Sequence, residues 1–193
     1  MNKYFVRLLG LLLVSLPAYA ALEAGDSAPM FDTRASLDGK AFDYSLADAL
    51  SDGTVVVYFY PSAYTNGCNI QAHEFSVNMD AFNAAGASVI GVSLDSIERL
   101  NDFSADPDYC AGKLAVASDL NGEIARSYDL GIRDAVEGRA DTRGVEIGHG
   151  FTERVTFIVT ADGKIAKTIG GISPMENVRL SLEAVQQLQP QEN

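Results

Sequence analysis

The sequence predicts a single α/β domain with a mixed central β-sheet flanked by helices. Three observations carry that prediction. Residues 54–60, TVVVYFY, form a continuous apolar run rich in β-branched and aromatic side chains, the pattern of a strand buried on both faces. Residues 87–94, ASVIGVSL, form a second such run. Between them Cys68, Ala72, Phe75, Met79 and Phe82 recur at spacings of four, three, four and three, which is one helical stripe facing a core. Strand, helix, strand in this order is a βαβ unit, so the two strands are expected to be parallel with a right-handed crossover.

The remaining elements follow in order. Residues 21–53 hold a loop, a hairpin around Asp38-Gly39 and a short helical stretch near Leu46. Pro61 ends the first buried strand. The helix after it runs over 66–84, with Thr65 or Asn66 as N-cap and Gly86 closing it. A helix is expected over 96–105, a short strand over 114–117 and a helix over 121–128. Residues 133–150 read as a polar, glycine-containing loop without a strong period. Residues 152–159 and 164–169 form a hairpin turning at Asp162-Gly163, and Pro174 opens a last helix to Leu188. No repeat or composition break divides the chain, so residues 21–193 read as one domain.

Residues 1–20 read differently. Lys3 and Arg7 precede an apolar stretch, 8–16, then Pro17 and the small-x-small sequence Ala18-Tyr19-Ala20. This is the pattern of a secretory signal peptide cut after Ala20. The stretch is shorter than the ~20 apolar residues that span a bilayer. The expectation is an exported protein, periplasmic or secreted, with no membrane attachment after cleavage. The formal net charge of −12 becomes −14 once Lys3 and Arg7 are removed. Such a surface repels nucleic acid and anionic membranes, which excludes those partner classes.

Only two cysteines are present, Cys68 and Cys110. In an oxidising compartment a structural disulfide is the default use of such a pair. Cys68, however, falls in the first turn of a helix that starts at the carboxyl end of a buried strand, where ligand sites of open α/β sheets form. Unpaired first-turn N–H groups and the positive end of the helix dipole both favour a thiolate, the nucleophilic form. The competing reading is a small core residue at the top of its own apolar stripe. Position alone leaves both open.

The neighbours of Cys68 bear on the choice. Pro61, Thr65 and Cys68 fill a pattern of Pro, three residues, Thr, two residues, Cys. This resembles the active-site pattern of the peroxiredoxin family (the AhpC/TSA superfamily). Gly67-Cys68 and the aromatic strand before it look like the bacterioferritin-comigratory, or Q-type, branch. Arg154-Val155-Thr156-Phe157 matches that family's late Arg-x-Thr-Phe pattern. The segments 25–31, 89–96, 117–119 and 156–159 fall where the family has similar blocks, so the resemblance covers nearly all of the chain after residue 20. Three departures stand out. Gln71 occupies the place of a usual Glu that bonds the Arg in the family's pocket, a bond an amide can also make; His73 stands where many Q-type members carry a second Cys, and the loop 133–150 is longer than usual.

The resemblance implies a thioredoxin-like fold and a thiol-dependent peroxidase acting on hydrogen peroxide and organic hydroperoxides. Cys68 would be the peroxidatic nucleophile. Thr65 would bond thiolate and peroxide, Pro61 would cover the thiolate, and Arg154 would stabilise the charge that develops on oxygen. Cys110 lies where some Q-type members carry a resolving cysteine, which implies an intramolecular 68–110 disulfide. Electrons would come from a thioredoxin-like protein or a small thiol, with no cofactor and no metal. Relatives of this branch are monomers or homodimers. Two alternatives stay beside this reading. One is a non-enzymatic redox-sensing or partner-binding module of the same fold with a structural Cys68–Cys110 bridge. The other is a one-cysteine cycle in which Cys110 is inert. His73 reads as a surface residue, and His149 as a candidate for the pocket mouth. The two histidines and two cysteines show no metal-site spacing, and no Cys-x-x-Cys, phosphate loop or dinucleotide fingerprint is present.

Overall fold

A computed structural model describes residues 21–189. The segment read as a signal peptide lies outside the described residues. Two strands, β1 (Asp32–Leu37) and β2 (Lys40–Ser45), form the first hairpin. Asp38 and Gly39 both turn through positive φ, 50° and 73°, as a tight two-residue turn between twisted strands requires. A short helix, α1 (Leu46–Asp52), leads into β3 (Thr54–Phe59).

Strand β3 is the centre of the molecule. It pairs in parallel with β4 (Ala87–Ser93) and antiparallel with β8 (Val155–Val159). Its continuous apolar run serves two cores, because successive side chains point to opposite faces. Val56, Tyr58 and Tyr60 enter the core under the helix α2 (Asn66–Ala84). Val55, Val57 and Phe59 enter the one on the other face. The predicted stripe of α2, Cys68 to Phe82, is buried as a set.

Beyond β4 come α3 (Ile97–Ala105), β5 (Ala115–Ser118), α4 (Glu123–Ser127) and a two-residue strand, β6 (Ile132–Arg133). The chain ends with β7 (Phe151–Thr152), β8, β9 (Ile165–Gly170) and α5 (Pro174–Leu188). The main sheet has seven strands in the order β2-β1-β5-β4-β3-β8-β9, with β3, β4 and β5 parallel and the rest antiparallel. The two strands of the βαβ unit are parallel as predicted, and the sheet is mixed.

One expectation needs correction. The late strand read as 152–159 is broken at Glu153 and Arg154. Phe151 and Thr152 pair instead with β6 in a separate two-stranded sheet. The backbone amide of Glu153 donates to Gly131 O at 3.2 Å, and its carboxylate accepts from Gly131 N at 3.1 Å. The chain changes partners there, so Arg154 stands just before β8 rather than on a strand. The polar segment 133–150 is a loop, as expected. Its base is zipped by β6 and β7, and Ala140 bridges to Glu146 within it.

Candidate active site

The strand β3 runs out at Phe59, and the next nine residues carry the chain to Cys68. Ser62 and Ala63 are pinned by one buried carboxylate, Asp95, at the matching edge of β4. Ser62 Oγ donates to Asp95 Oδ1 at 2.8 Å, and Ala63 N donates to Oδ2 at 2.7 Å. Ser93 Oγ adds a third bond to Oδ2, also 2.7 Å. Tyr64 then turns through a φ of 59°, a left-handed conformation rare for an aromatic residue. It is held there from several sides. Both the amide and the hydroxyl of Thr142 donate to its carbonyl at 2.9 Å. The Arg143 guanidinium lies 3.3 Å from its ring centroid, and Phe103 and Tyr109 meet the ring edge-on.

This turn delivers Thr65 as the N-cap residue of α2. Its carbonyl accepts from the amides of Cys68 (2.9 Å) and Asn69 (2.8 Å), which puts Cys68 in the first turn as the sequence predicts. The Thr65 hydroxyl differs from expectation. It donates to Ser62 O at 2.9 Å rather than to the sulfur, because the backbone acceptor three residues back lies within its reach. Thr65 still lines a cleft beside the start of α2, together with Gly67, Arg154 and the half-buried Pro61.

Cys68 is 2 % exposed, and its Sγ accepts a hydrogen bond from Arg154 Nη2 at 3.3 Å. The other arm of that guanidinium, Nη1, donates to Gln71 Oε1. Gln71 Nε2 donates in turn to Asn177 Oδ1 at 2.9 Å. Asn177 Oδ1 also accepts from Thr156 Oγ1 (2.6 Å), and Asn177 Nδ2 donates to Ile169 O (3.0 Å). Every role in this chain of amides is fixed by its neighbour, so the guanidinium has one orientation. Gly67 makes room for it, since a Cβ there would lie 3.1 Å from Arg154 Nη2. The amide at position 71 thus takes the bond expected of the missing Glu.

Cys110 lies fully buried in the same core cluster as Cys68 and, like it, is a free thiol. Burial first, and then the nearby charge of Asp106, push the Cys110 thiol far above its ordinary range. The segment that bears it packs on the site: Tyr109 touches Tyr64 and Phe103, and Asp108 O faces His73 Nδ1 at 3.1 Å. His73 is exposed, as read. His149 is not at the mouth of the cleft. It turns to Asp95, with Nε2 at 2.9 Å from Oδ1 and Nδ1 at 2.7 Å from Gly150 O. Both ring nitrogens face groups that only accept, so both carry protons. Burial alone would depress this imidazole, but the bond to Asp95 and its charge more than offset that, and the pKa is raised.

Sequence reasoning passed over Asn177, Asp95, Arg99 and Asp141. Arg99 Nη2 donates to Ala63 O at 2.9 Å and to Asp141 Oδ2 at 2.7 Å, and its Nε lies 2.8 Å from Asp95 Oδ1. One signal was available for Asn177. It shares the buried face of α5 with Val178, Ser181, Ala184 and Val185, and an amide at such a position requires partners.

Comparison with known proteins gives a consistent result. The AhpC/TSA family model matches residues 24–168. The chain is 32% identical to the Peroxiredoxin Bcp of Escherichia coli over 144 residues, 75% of this chain and 83% of that protein. It is 36% identical over 144 residues to a putative peroxiredoxin of Mycobacterium tuberculosis, covering 75% and 82% of the two chains. Among solved structures, peroxidoxin BcpB from Mycobacterium tuberculosis superposes with a TM-score of 0.72 at 24% identity, covering 88% of this chain and 99% of that one. Xanthomonas campestris peroxiredoxin Q gives 0.64 at 24%, covering 80% and 90%. The fold is the thioredoxin-like fold of these structures.

Proposed function

The chain belongs to the AhpC/TSA family and is a peroxiredoxin; on that premise we propose that Cys68 reduces hydroperoxides in a two-cysteine cycle closed by Cys110. The Cys68 thiolate attacks the terminal oxygen of the hydroperoxide. An S–O bond forms, the O–O bond breaks, and the alkoxide or hydroxide leaves and takes a proton from solvent. Cys68 becomes a sulfenic acid. The observation that carries this reading is the Arg154 guanidinium, held by Gln71 and donating to Cys68 Sγ at 3.3 Å. A cation fixed there stabilises both the thiolate and the oxygen anion that departs. Thr65 and Pro61 line the same cleft as Arg154, which supports the positions given to them.

The Cys110 thiol then attacks the sulfenic sulfur and expels water, giving the 68–110 disulfide. A thioredoxin-like protein or a small thiol reduces it by two thiol equivalents. Both cysteines are buried in the resting protein, so access of an external thiol to their disulfide requires local opening. The segment around Cys110 is suited to it. Ala111 and Gly112 are consecutive left-handed residues, φ 52° and 66°, and Ala111 pays strain for that conformation. The reading further includes export, with residues 1–20 as a cleaved signal, 21–193 as one peroxiredoxin domain and action in the periplasm or outside the cell. The chain would act as a monomer or homodimer.

The experiment is a thiol count with mass mapping on the mature protein, before and after one equivalent of hydrogen peroxide. Rapid loss of two thiols with a 68–110 disulfide is expected. Loss of Cys68 alone means a one-cysteine cycle. A bridge already present and resistant to thiol donors means a structural disulfide and ends the peroxidase reading.

A further inference from the structure

The cleft lined by Pro61, Thr65, Gly67 and Arg154, the neighbours of Cys68, holds about 500 Å³ and is larger than hydrogen peroxide requires. Three arginines line it: Arg133 from β6, Arg139 from the loop 133–150, and Arg154. Arg154 is spent on Cys68 and Gln71. Arg133 and Arg139 touch neither of these, and among the described residues no carboxylate lies within ion-pair distance of either. The single acidic residue of the lining, Asp141, is already bound by Arg99 at 2.7 Å and Arg143 at 3.0 Å. Arg139 is held in place by the Phe151 ring, 4.8 Å from its guanidinium carbon. In a chain with 26 acidic and 14 basic residues, two exposed guanidinium groups without an acidic partner in one cleft are a marked local excess of positive charge.

We propose that Arg133 and Arg139 bind the carboxylate of an organic hydroperoxide whose peroxide group reaches Cys68. Guanidinium forks match a carboxylate bidentately. Thr65, Asn66 and Thr142 are three of the seven remaining lining residues, and the apolar ones, Pro61, Gly67, Ala140 and Phe151, offer no long apolar channel, so the acid that fits is short rather than long and aliphatic. Hydrogen peroxide offers these two arginines nothing to hold. The inference rests on the peroxidase reading and adds a substrate class to it.

The test compares tert-butyl hydroperoxide with the β-hydroperoxy derivative of isovalerate, which differs only by a carboxylate in place of one hydrogen. Second-order rate constants for Cys68 oxidation are measured in the mature protein at low salt. Charged hydrogen bonds of this kind correspond to a preference of about tenfold or more for the acid. The preference should shrink as salt is raised, disappear in Arg133→Gln/Arg139→Gln, and fall to an intermediate value in Arg139→Lys, which keeps the charge and loses the fork. Equal rate constants in the wild type, or a preference that the double glutamine variant retains, overturn the inference while leaving the peroxidase reading in place. If hydrogen peroxide itself fails to oxidise Cys68, both fall together.

Discussion

At the scale of single residues, the site depends on a guanidinium with no freedom. Arg154 donates one arm to Cys68 and the other to Gln71, and Gln71 is itself fixed by Asn177. Replacing Arg154 by Gln should lower the rate constant for hydrogen peroxide by about 10²–10³, the usual loss when one donor to a developing oxyanion is removed. Arg154→Lys should recover little of it, since an ammonium cannot serve Sγ and the amide together. Stopped-flow oxidation of Cys68 measures both. Asn177 touches no reacting atom and acts as a positioning residue. Asn177→Ala strands Gln71 Nε2 and Thr156 Oγ1, and should cost about 1–3 kcal/mol in denaturant unfolding. It should also slow peroxide reduction well below the melting range, where a purely structural loss leaves the rate unchanged.

At the scale of elements, two junctions carry consequences. Strands β3 and β4 pair Tyr58 with Gly91, and a Cβ on Gly91 would lie 2.5 Å from the Tyr58 ring and hydroxyl. Gly91→Ala should therefore destabilise by about 1–3 kcal/mol through overpacking. The same change in a Tyr58→Leu background should cost much less, and a double-mutant cycle of unfolding free energies reads the coupling. The second junction is the turn from α3 to β5 that carries Cys110. Its buried thiol resists ionisation, whereas in the opened segment it would have the ordinary value near about 8.5. A group whose pKa is raised in the closed form contributes stability below the ordinary value and loses it as pH rises. Opening at Cys110 should thus become easier in mild alkali. Alkylation of Cys110 in a Cys68→Ser protein should accelerate with pH more steeply than that of a free thiol.

At the scale of the whole molecule, one polar network ties the loop 133–150 to the turn that positions Cys68. Asp95 and Asp141 are buried carboxylates joined by Arg99. Asp95 also binds Ser62, Ala63 and His149, and Asp141 binds Arg143, whose guanidinium covers the Tyr64 ring. Burial opposes ionisation of both acids, but the bonds they accept hold each below the usual carboxylate range. His149 has the opposite shift. Its folded pKa is raised, so its contribution is complete below the ordinary value of about 6.5 and is lost as pH rises through the folded one. Between about pH 5 and about pH 9 the wild type should lose stability relative to His149→Gln, and urea midpoints across that range check the sign. A difference that is flat with pH would show that His149 is not charged in the folded protein.

The sequence by itself determined what rests on local period and local chemistry. The buried runs at 54–60 and 87–94, the stripe of α2 and the turns at Asp38-Gly39 and Asp162-Gly163 are written in neighbouring residues, and the structure has all of them. Cys68 in the first turn of α2 follows from the same pattern, because a strand, a proline and a capped helix leave it nowhere else to stand. The approach of Arg154 to Cys68 and the bond from Arg154 to the amide at 71 were legible only through resemblance, since those residues lie more than 80 positions apart. Tertiary structure alone decided the rest. The break before β8, the left-handed Tyr64, the inward turn of His149 and the Asn177 bridge all depend on which backbone and side-chain groups the packed helices and sheet leave without partners. Periodicity records which face of an element is buried. It does not record which buried polar groups meet, and each of these features is the answer a buried donor or acceptor found once water was excluded.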